Sequence, residues 1–333
     1  MFTERKRIKA HYFEIYKDKL FILEDDCSPL YVYDIHTFHL IAKLGDNYGG
    51  GLYAIKDLVV DEHLKGVNVD TLSKVPSFYN CSNTYYYITN SKYIIIRKFI
   101  TDFSLELHIV RLDNYQIVRK IKDTSGTIRL FTESNDLICS TEDFLFLYKD
   151  FSLLWQKDLS KLTQYTEWDG TEEEGKIREV YHYKDSVIVL TQVFILQIDL
   201  QTGDIVYSLQ LPAGLMELSI VDNRAYGCYG YHYMEIDIEK GRLLKFIRSE
   251  NAVYQGKEYN AIMDSPKFHE GYVFHGVRLE GGYYAISALD AQTEKRMWID
   301  LLGTYMVEKI EFYENKMFVS DSGGSLYIYE KEE

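Results

Sequence analysis

The chain has 333 residues, 46% hydrophobic and 26% charged, with 15% aromatic and only 4 Pro, a composition that folds and carries no Pro-rich linker. Its 37 basic and 51 acidic side chains leave a net charge of −14, which repels a phosphate backbone, argues against a nucleic-acid partner and attracts a basic protein. No run of about 18 apolar residues occurs, so no helix is expected to span a membrane.

In chain order, residues 1–16 read MFTERKRIKAHYFEIY: basic, with no apolar run of signal-peptide length behind them. A strand is expected near 3–9, spare to the first repeat, which begins at His11. An alternating strand, a tight polar turn and a further strand follow at 30–41, LYVYDIHTFHLI. The same phrase returns at 107–118, 144–155, 194–207 (FILQIDLQTGDIVY), 233–246 (YMEIDIEKGRLLKF), 283–298 and, cut short, 326–330. Period-two alternation marks strands. Asp199–Gly203 and Asp237–Gly241 mark turns, in which the carboxylate accepts backbone N–H groups and Gly takes the positive φ.

The alternating strands begin near 31, 107, 144, 195, 233, 283 and 325, so their spacings are about 76, 37, 51, 38, 50 and 42 residues. A four-stranded blade needs about 40. The reading is an all-β, seven-bladed propeller of four-stranded antiparallel blades, one domain over 1–333. Long loop insertions are placed at 44–83, 159–177 and 249–264. The 76-residue gap is read as one blade with an insertion, because 44–83 holds Gly49-Gly50-Gly51 and irregular polarity; two blades there would make eight. Strands near 306–312, 316–320 and 325–330 leave the last blade one short, and pairing with 3–9 closes the ring and removes two open edges.

The segment 288–298, Ala-Leu-Asp-Ala-Gln-Thr-Glu-Lys-Arg-Met-Trp, resembles the A-x-D-x-x-T-G-K-x-x-W repeat of quinoprotein-like (PQQ-like) propellers, with Glu294 where that family has Gly. Asp199, Thr202 and Gly203 match it in another blade, Asp237 and Gly241 in a third, and Asp34 and Thr37 in a fourth. The resemblance implies a propeller over most of the chain. The quinone-dependent members also have adjacent cysteines, an export signal and a Trp girdle. Here Cys27, Cys81, Cys139 and Cys228 lie far apart and there are three Trp, so no quinone is expected.

Other chemistry finds no residue set. The nine His form no H-x-x-x-H, and no C-x-x-C, G-x-S-x-G or phosphate-binding loop occurs. The acidic segments Asp25-Asp26 and 168–175 (WDGTEEEG) lack the alternation of a calcium loop. No catalytic, cofactor or metal residues are assigned, and the scattered cysteines point to the cytoplasm.

In a propeller blade the connections from strand D to the next strand A share a face with the B–C turns, and the C–D turns lie opposite. The three long segments are all read as D–A connections on one face, where binding residues concentrate. Their aromatic residues Tyr48, Tyr53, Phe78, Tyr79, Tyr165, Trp168, Tyr254 and Tyr259, with Glu167, Asp169, Glu172, Glu173 and Glu174, suit a protein interface that steers a basic partner. The expected function is a non-enzymatic, protein-binding propeller, monomeric apart from its partner. Its sharpest form is an immunity protein that neutralises a co-encoded basic toxin. The alternative is an enzyme or carbohydrate-binding propeller with its site in the central funnel. A third class, a structural subunit of a stable complex, would show a large exposed apolar patch.

Overall fold

A computed structural model describes residues 2–61, 63–75, 84–101, 104–123, 127–167 and 169–332. Eight four-stranded antiparallel sheets follow one another along the chain. Blade 1 is Tyr12–Tyr16, Lys19–Leu23, Ser28–Asp34 and Leu40–Tyr48 as strands A to D. Blade 2 is Leu52–Ile55, Leu58–Asp61, Gly66–Asn68 and Lys74–Val75. Blade 3 is Thr84–Thr89, Tyr93–Thr101, Ser104–Arg111 and Ile117–Asp123, and blade 4 is Thr127–Phe131, Asp136–Ser140, Phe144–Lys149 and Ser152–Asp158. Blade 5 is Glu179–Tyr183, Ser186–Leu190, Phe194–Asp199 and Ile205–Gln210, and blade 6 is Ser219–Val221, Arg224–Tyr229, His232–Asp237 and Arg242–Arg248. Blade 7 is Ala261–His269, Tyr272–Leu279, Tyr283–Asp290 and Arg296–Gly303. Blade 8 takes strands A to C from Val307–Tyr313, Lys316–Asp321 and Ser325–Lys331, and strand D from Phe2–Lys9. The N-terminal strand thus closes the ring, as the sequence predicts, with Phe2 opposite Lys331 and Lys9 opposite Ser325.

The propeller has eight blades, and the preference for seven is corrected. Residues 52–75, expected inside an insertion, form blade 2, so the 76-residue gap holds two blades. Its strands run only two to four residues, too short for a clear alternation. Its C–D turn has Asn68 and Leu72 where blades 5 and 6 have Asp and Gly. Asn68 Oδ1 still accepts from Thr71 N at 2.9 Å, and Leu72 takes φ +53°.

First strands of successive blades approach one another, which places strand A innermost. B strands are the most buried: Ser186–Leu190 and Lys316–Asp321 have no exposed residue. Core clusters therefore lie between blades, such as the one joining Leu145 and Leu147 of blade 4 to Val187 and Leu196 of blade 5. Burying such side chains contributes about 1.5–3 kcal/mol each.

One D-strand bulge recurs in six blades. The residue skipped by the register is Ile41, Val118, Leu154, Val206, Leu244 and Met297 in turn. Each bulge twists the outermost strand away from the flat edge that would invite pairing with another chain. It also turns the next side chain toward the C–D turn of the following blade. Trp155 lies over Gly203, where a Cβ would sit 2.9 Å from the indole, and its Nε1 donates to Leu200 O at 3.0 Å. Tyr207 lies likewise over Gly241. At the next interface the pair is exchanged: Lys245 replaces the aromatic and Glu294 the glycine, joined at 2.6 Å, with Lys245 Nζ also donating to Ala291 O at 2.8 Å. The departure from the motif at Glu294 is thus compensated one blade earlier. Glu294 keeps the left-handed backbone, φ +58°.

Candidate functional site

Each blade is an up-and-down meander, so A–B and C–D turns project from one face (the turn face) and B–C turns and D–A connections from the other (the loop face). Among the described residues, two connections on the loop face are long. Residues 159–178 join blades 4 and 5 and carry a two-stranded hairpin, Gln164–Thr166 with Glu172–Glu174. Residues 249–260 join blades 6 and 7 and carry a second, Ala252–Tyr254 with Lys257–Tyr259. The connection from blade 1 to blade 2 is short, Gly49–Gly51.

The first hairpin is anchored at its base and charged at its tip. Thr163 is fully buried, and its Oγ1 donates to Leu159 O at 3.1 Å or to Gly175 O at 2.9 Å. Tyr165 OH donates to Glu167 Oε1 at 3.1 Å, Asp169 Oδ1 accepts from Thr171 N at 2.9 Å, and Glu172 accepts from Thr166 Oγ1 at 2.7 Å. Glu172, Glu173 and Glu174 are all exposed. The backbone N–H of Thr171 holds the Asp169 carboxyl below its ordinary value, so the tip stays ionised.

Beside this hairpin a cleft of about 920 Å3 opens between blades 5 and 6. Tyr165 and Glu167 line one wall, Pro212 to Met216 the other, and Arg178, Gln192 and Tyr229 the rest. Arg178 Nη1 lies 2.9 Å from Met216 Sδ, while its buried Nε finds no acceptor. Met216 is 56% and Tyr229 48% exposed, a combination of aromatic, thioether and guanidinium groups that suits protein recognition.

Exposed large apolar side chains occur at both faces. On the loop face they are Leu162 and Val253 in the long connections, Met216, and Tyr305 and Met306 between blades 7 and 8. Tyr229 and Tyr283 flank B–C turns there, and Tyr53 and Ile262 open A strands. Most of the rest lie on the outer D strands, where Leu40, Ile117, Leu153, Val206 and Met297 are first or second in their strands, at the turn-face end, and Tyr115 stands in a C–D turn of that face.

Of the aromatic residues expected on the interface, Tyr53 is exposed and Tyr165 half-buried in the cleft. Tyr254 and Tyr259 are half-buried, and Tyr259 packs with the core between the second hairpin and blade 7. Tyr48 is corrected: it ends strand D of blade 1, is 5% exposed and packs among Phe21, Leu52 and Val59, so its ring is spent on the core. Phe78, Tyr79 and Trp168 lie outside the described residues. Sequence reasoning missed Arg178, Met216 and Tyr229. The connection 211–218 is too short to draw attention, and Tyr229 reads as an ordinary strand residue.

In the funnel, Glu14, Glu179 and Asp264 stand on A strands of blades 1, 5 and 7. Desolvation raises all three carboxyl pKa values, Asp264 to about 6 with Glu217 adding to the shift. Lys309 pairs with Glu14 at 3.5 Å and Glu311 at 2.8 Å, and Arg129 with Glu179 at 3.8 Å. Among the described residues no three His, Cys, Asp or Glu converge as a metal site. Asp25 pairs with Lys9 and lies 3.5 Å from His11.

The architecture defines the class: an eight-bladed β-propeller with one face built up by hairpins. Among solved structures it is similar to the computationally designed Ika8 protein (TM-score 0.70, 13% identity, 98% of each chain covered). It is also similar to BamB from Moraxella catarrhalis (TM-score 0.67, 10% identity, 99% of this chain and 100% of that one). At these identities the likeness is one of fold. No protein-family model matches the sequence, and no curated protein sequence does.

Proposed function

We propose that this chain is a non-enzymatic, protein-binding propeller that seats a partner on its loop face. The observation that carries the reading is the cleft of about 920 Å3 between blades 5 and 6, open on that face beside the exposed acidic hairpin. Aromatic and thioether anchors ringed by polar groups supply most of the energy of a typical interface. The cleft between blades 5 and 6 offers Met216 and Tyr229 as anchors and Arg178 as a donor. The acidic hairpin beside it, with a net charge of −14 behind it, supports a basic partner steered from a distance. The sharper form makes that partner a co-encoded basic toxin and this chain its cytoplasmic inhibitor, monomeric until bound. The repeat's likeness to PQQ-like propellers enters as scaffold only.

The test is capture by the tagged chain from its native cells at low and moderate salt. One stoichiometric basic protein, retained by a Glu239→Lys turn-face variant and lost with Met216→Glu/Tyr229→Glu, is the expected result. Equal capture by both variants removes the loop face from the reading. Toxicity of the captured protein, relieved by this chain, tests the sharper form.

The funnel reading draws on Glu14, Glu179 and Asp264, whose raised pKa values are what a catalytic or sugar-binding site would use. A glycan or hydrolase activity lost in Asp264→Asn would favour it.

A further inference from the structure

At four blade interfaces a D-strand side chain reaches the C–D turn of the next blade, and at three more the D strand packs or bonds close beside that turn. Lys6 Nζ donates to Phe38 O at 3.0 Å, Ala42 and Leu72 join one core cluster, and Val75 packs into the cluster that holds Leu112. Arg119 donates to Ser152 Oγ at 3.3 Å. Trp155, Tyr207 and Lys245 meet Gly203, Gly241 and Glu294. The eighth interface differs by topology. Trp298 of blade 7 occupies the reaching position, but blade 8 takes its C and D strands from opposite ends of the sequence. No C–D turn joins them. Phe2 and Lys331, paired across the seam, stand there instead.

A pocket of about 180 Å3 lies at this seam, walled by Phe2, Tyr272, Phe274, Ala288, Met297 and Trp298. The walls are held rigidly. Phe2 meets Phe274 edge-on at 5.6 Å, and Trp298 meets Tyr329 edge-on at 5.4 Å. At the mouth Lys331 Nζ pairs with Glu270 at 2.7 Å, and His269 stacks on Phe312 at 3.9 Å. The two opposite charges neutralise each other, so no net charge selects a ligand, and shape and ring faces remain. An apolar cavity of about 150 Å3 accommodates benzene, and aromatic walls favour a flat ring over a puckered one of equal volume.

We propose that the seam pocket is a binding site for a small aromatic molecule, one flat ring system no larger than indole, held between Trp298 and Phe2. The ligand takes the place that a C–D turn residue fills at four of the other interfaces. It would also bridge the two ends of the chain across the closure. This site is on the turn face and is independent of the partner surface.

The test uses the full chain labelled with 5-fluorotryptophan, whose three Trp give separable 19F signals; Trp298→Phe assigns one of them. Indole is the probe and cyclohexanol the non-planar control. A ligand of this size is expected to bind at about 1 mM or tighter. Indole should shift the Trp298 signal saturably, and at about ten times its Kd should raise the melting midpoint by ~2 °C. Ala288→Met, which fills the pocket, should abolish both effects. Should that variant fail to fold, Phe2→Leu keeps apolar contact without the ring face and should weaken indole about 2- to 12-fold. No Trp298 shift at the solubility limit overturns the proposal. So does indole binding that is unchanged in the pocket variant, or cyclohexanol binding equal to indole.

Discussion

Lys245 and Glu294 stand where two earlier interfaces have an aromatic ring over glycine, and exchanging the pair tests that equivalence. Both side chains are 26% exposed and 2.6 Å apart, so their coupling exceeds that of a surface pair, at about 1–2 kcal/mol. Glu294→Gly loses that pair but relieves a left-handed backbone at φ +58°, worth about 1 kcal/mol, and should destabilise by about 0.5 kcal/mol. Lys245→Trp loses the pair and presses an indole on a residue that has a Cβ. At Gly203 a Cβ would lie 2.9 Å from Trp155, a contact that costs a further ~1–3 kcal/mol. In the double variant the indole meets glycine, as at Trp155 and Gly203, and most of both losses should return. The loss of Lys245's second partner, Glu235 at 3.2 Å, occurs with and without Glu294 and cancels from the coupling. The expected coupling is roughly 3 kcal/mol in favour of the double variant, read from urea unfolding of the four proteins at constant m-value. Additivity within about 0.5 kcal/mol would refute the equivalence.

The Asp264 carboxyl is raised to about 6 by burial, with Glu217 adding to it. Its contribution is therefore present in full below about pH 4, its unfolded value, and is lost as pH rises through 6. Asp264→Asn should stabilise the chain at pH 8 by about 1–2 kcal/mol and change little at pH 4, measured as urea midpoints at the two pH values. Removing residues 2–9 leaves blade 8 with three strands and an open edge. It should cost more than the ~3–5 kcal/mol of one buried Phe and promote aggregation, seen by melting and light scattering. Converting Glu172, Glu173 and Glu174 to Gln should slow association with a captured basic partner and flatten its salt dependence, with little change in dissociation, checked by surface-binding kinetics.

The propeller was legible because blades 1 and 3 to 8 repeat an alternating C strand and, in blades 1 and 5 to 7, an Asp turn. Asp199 Oδ1 accepts from Gln201 N at 2.9 Å and Thr202 N at 2.8 Å, and Asp290 repeats this with Gln292 and Thr293. Blade 2 was not, because Gly66–Asn68 spans one and a half periods and Leu72 stands in a place where glycine would have signalled a turn. The same substitution of Asn68 and Leu72 for Asp and Gly, with Thr71 kept, was the available clue. At the candidate site the length of 159–177 and 249–264 drew the eye, yet the hairpins within them depend on anchoring by Thr163 and on packing against blade 7. Arg178, Met216 and Tyr229 meet only because blades 5 and 6 stand side by side, a juxtaposition that no local pattern encodes. Tyr48 failed for the converse reason: an aromatic residue beside three glycines reads as a loop anchor, and the core of blades 1 and 2 claims it.

The central claim is that the loop face receives a protein partner, and amide hydrogen exchange of the complex against the free chain tests it most directly. The account predicts new protection confined to 162–178, 211–217, 229–231, 252–262, 280–283 and 304–306, with the turns at 35–39, 200–204 and 238–241 unchanged. Protection that instead follows those turns or the outer D strands would contradict it.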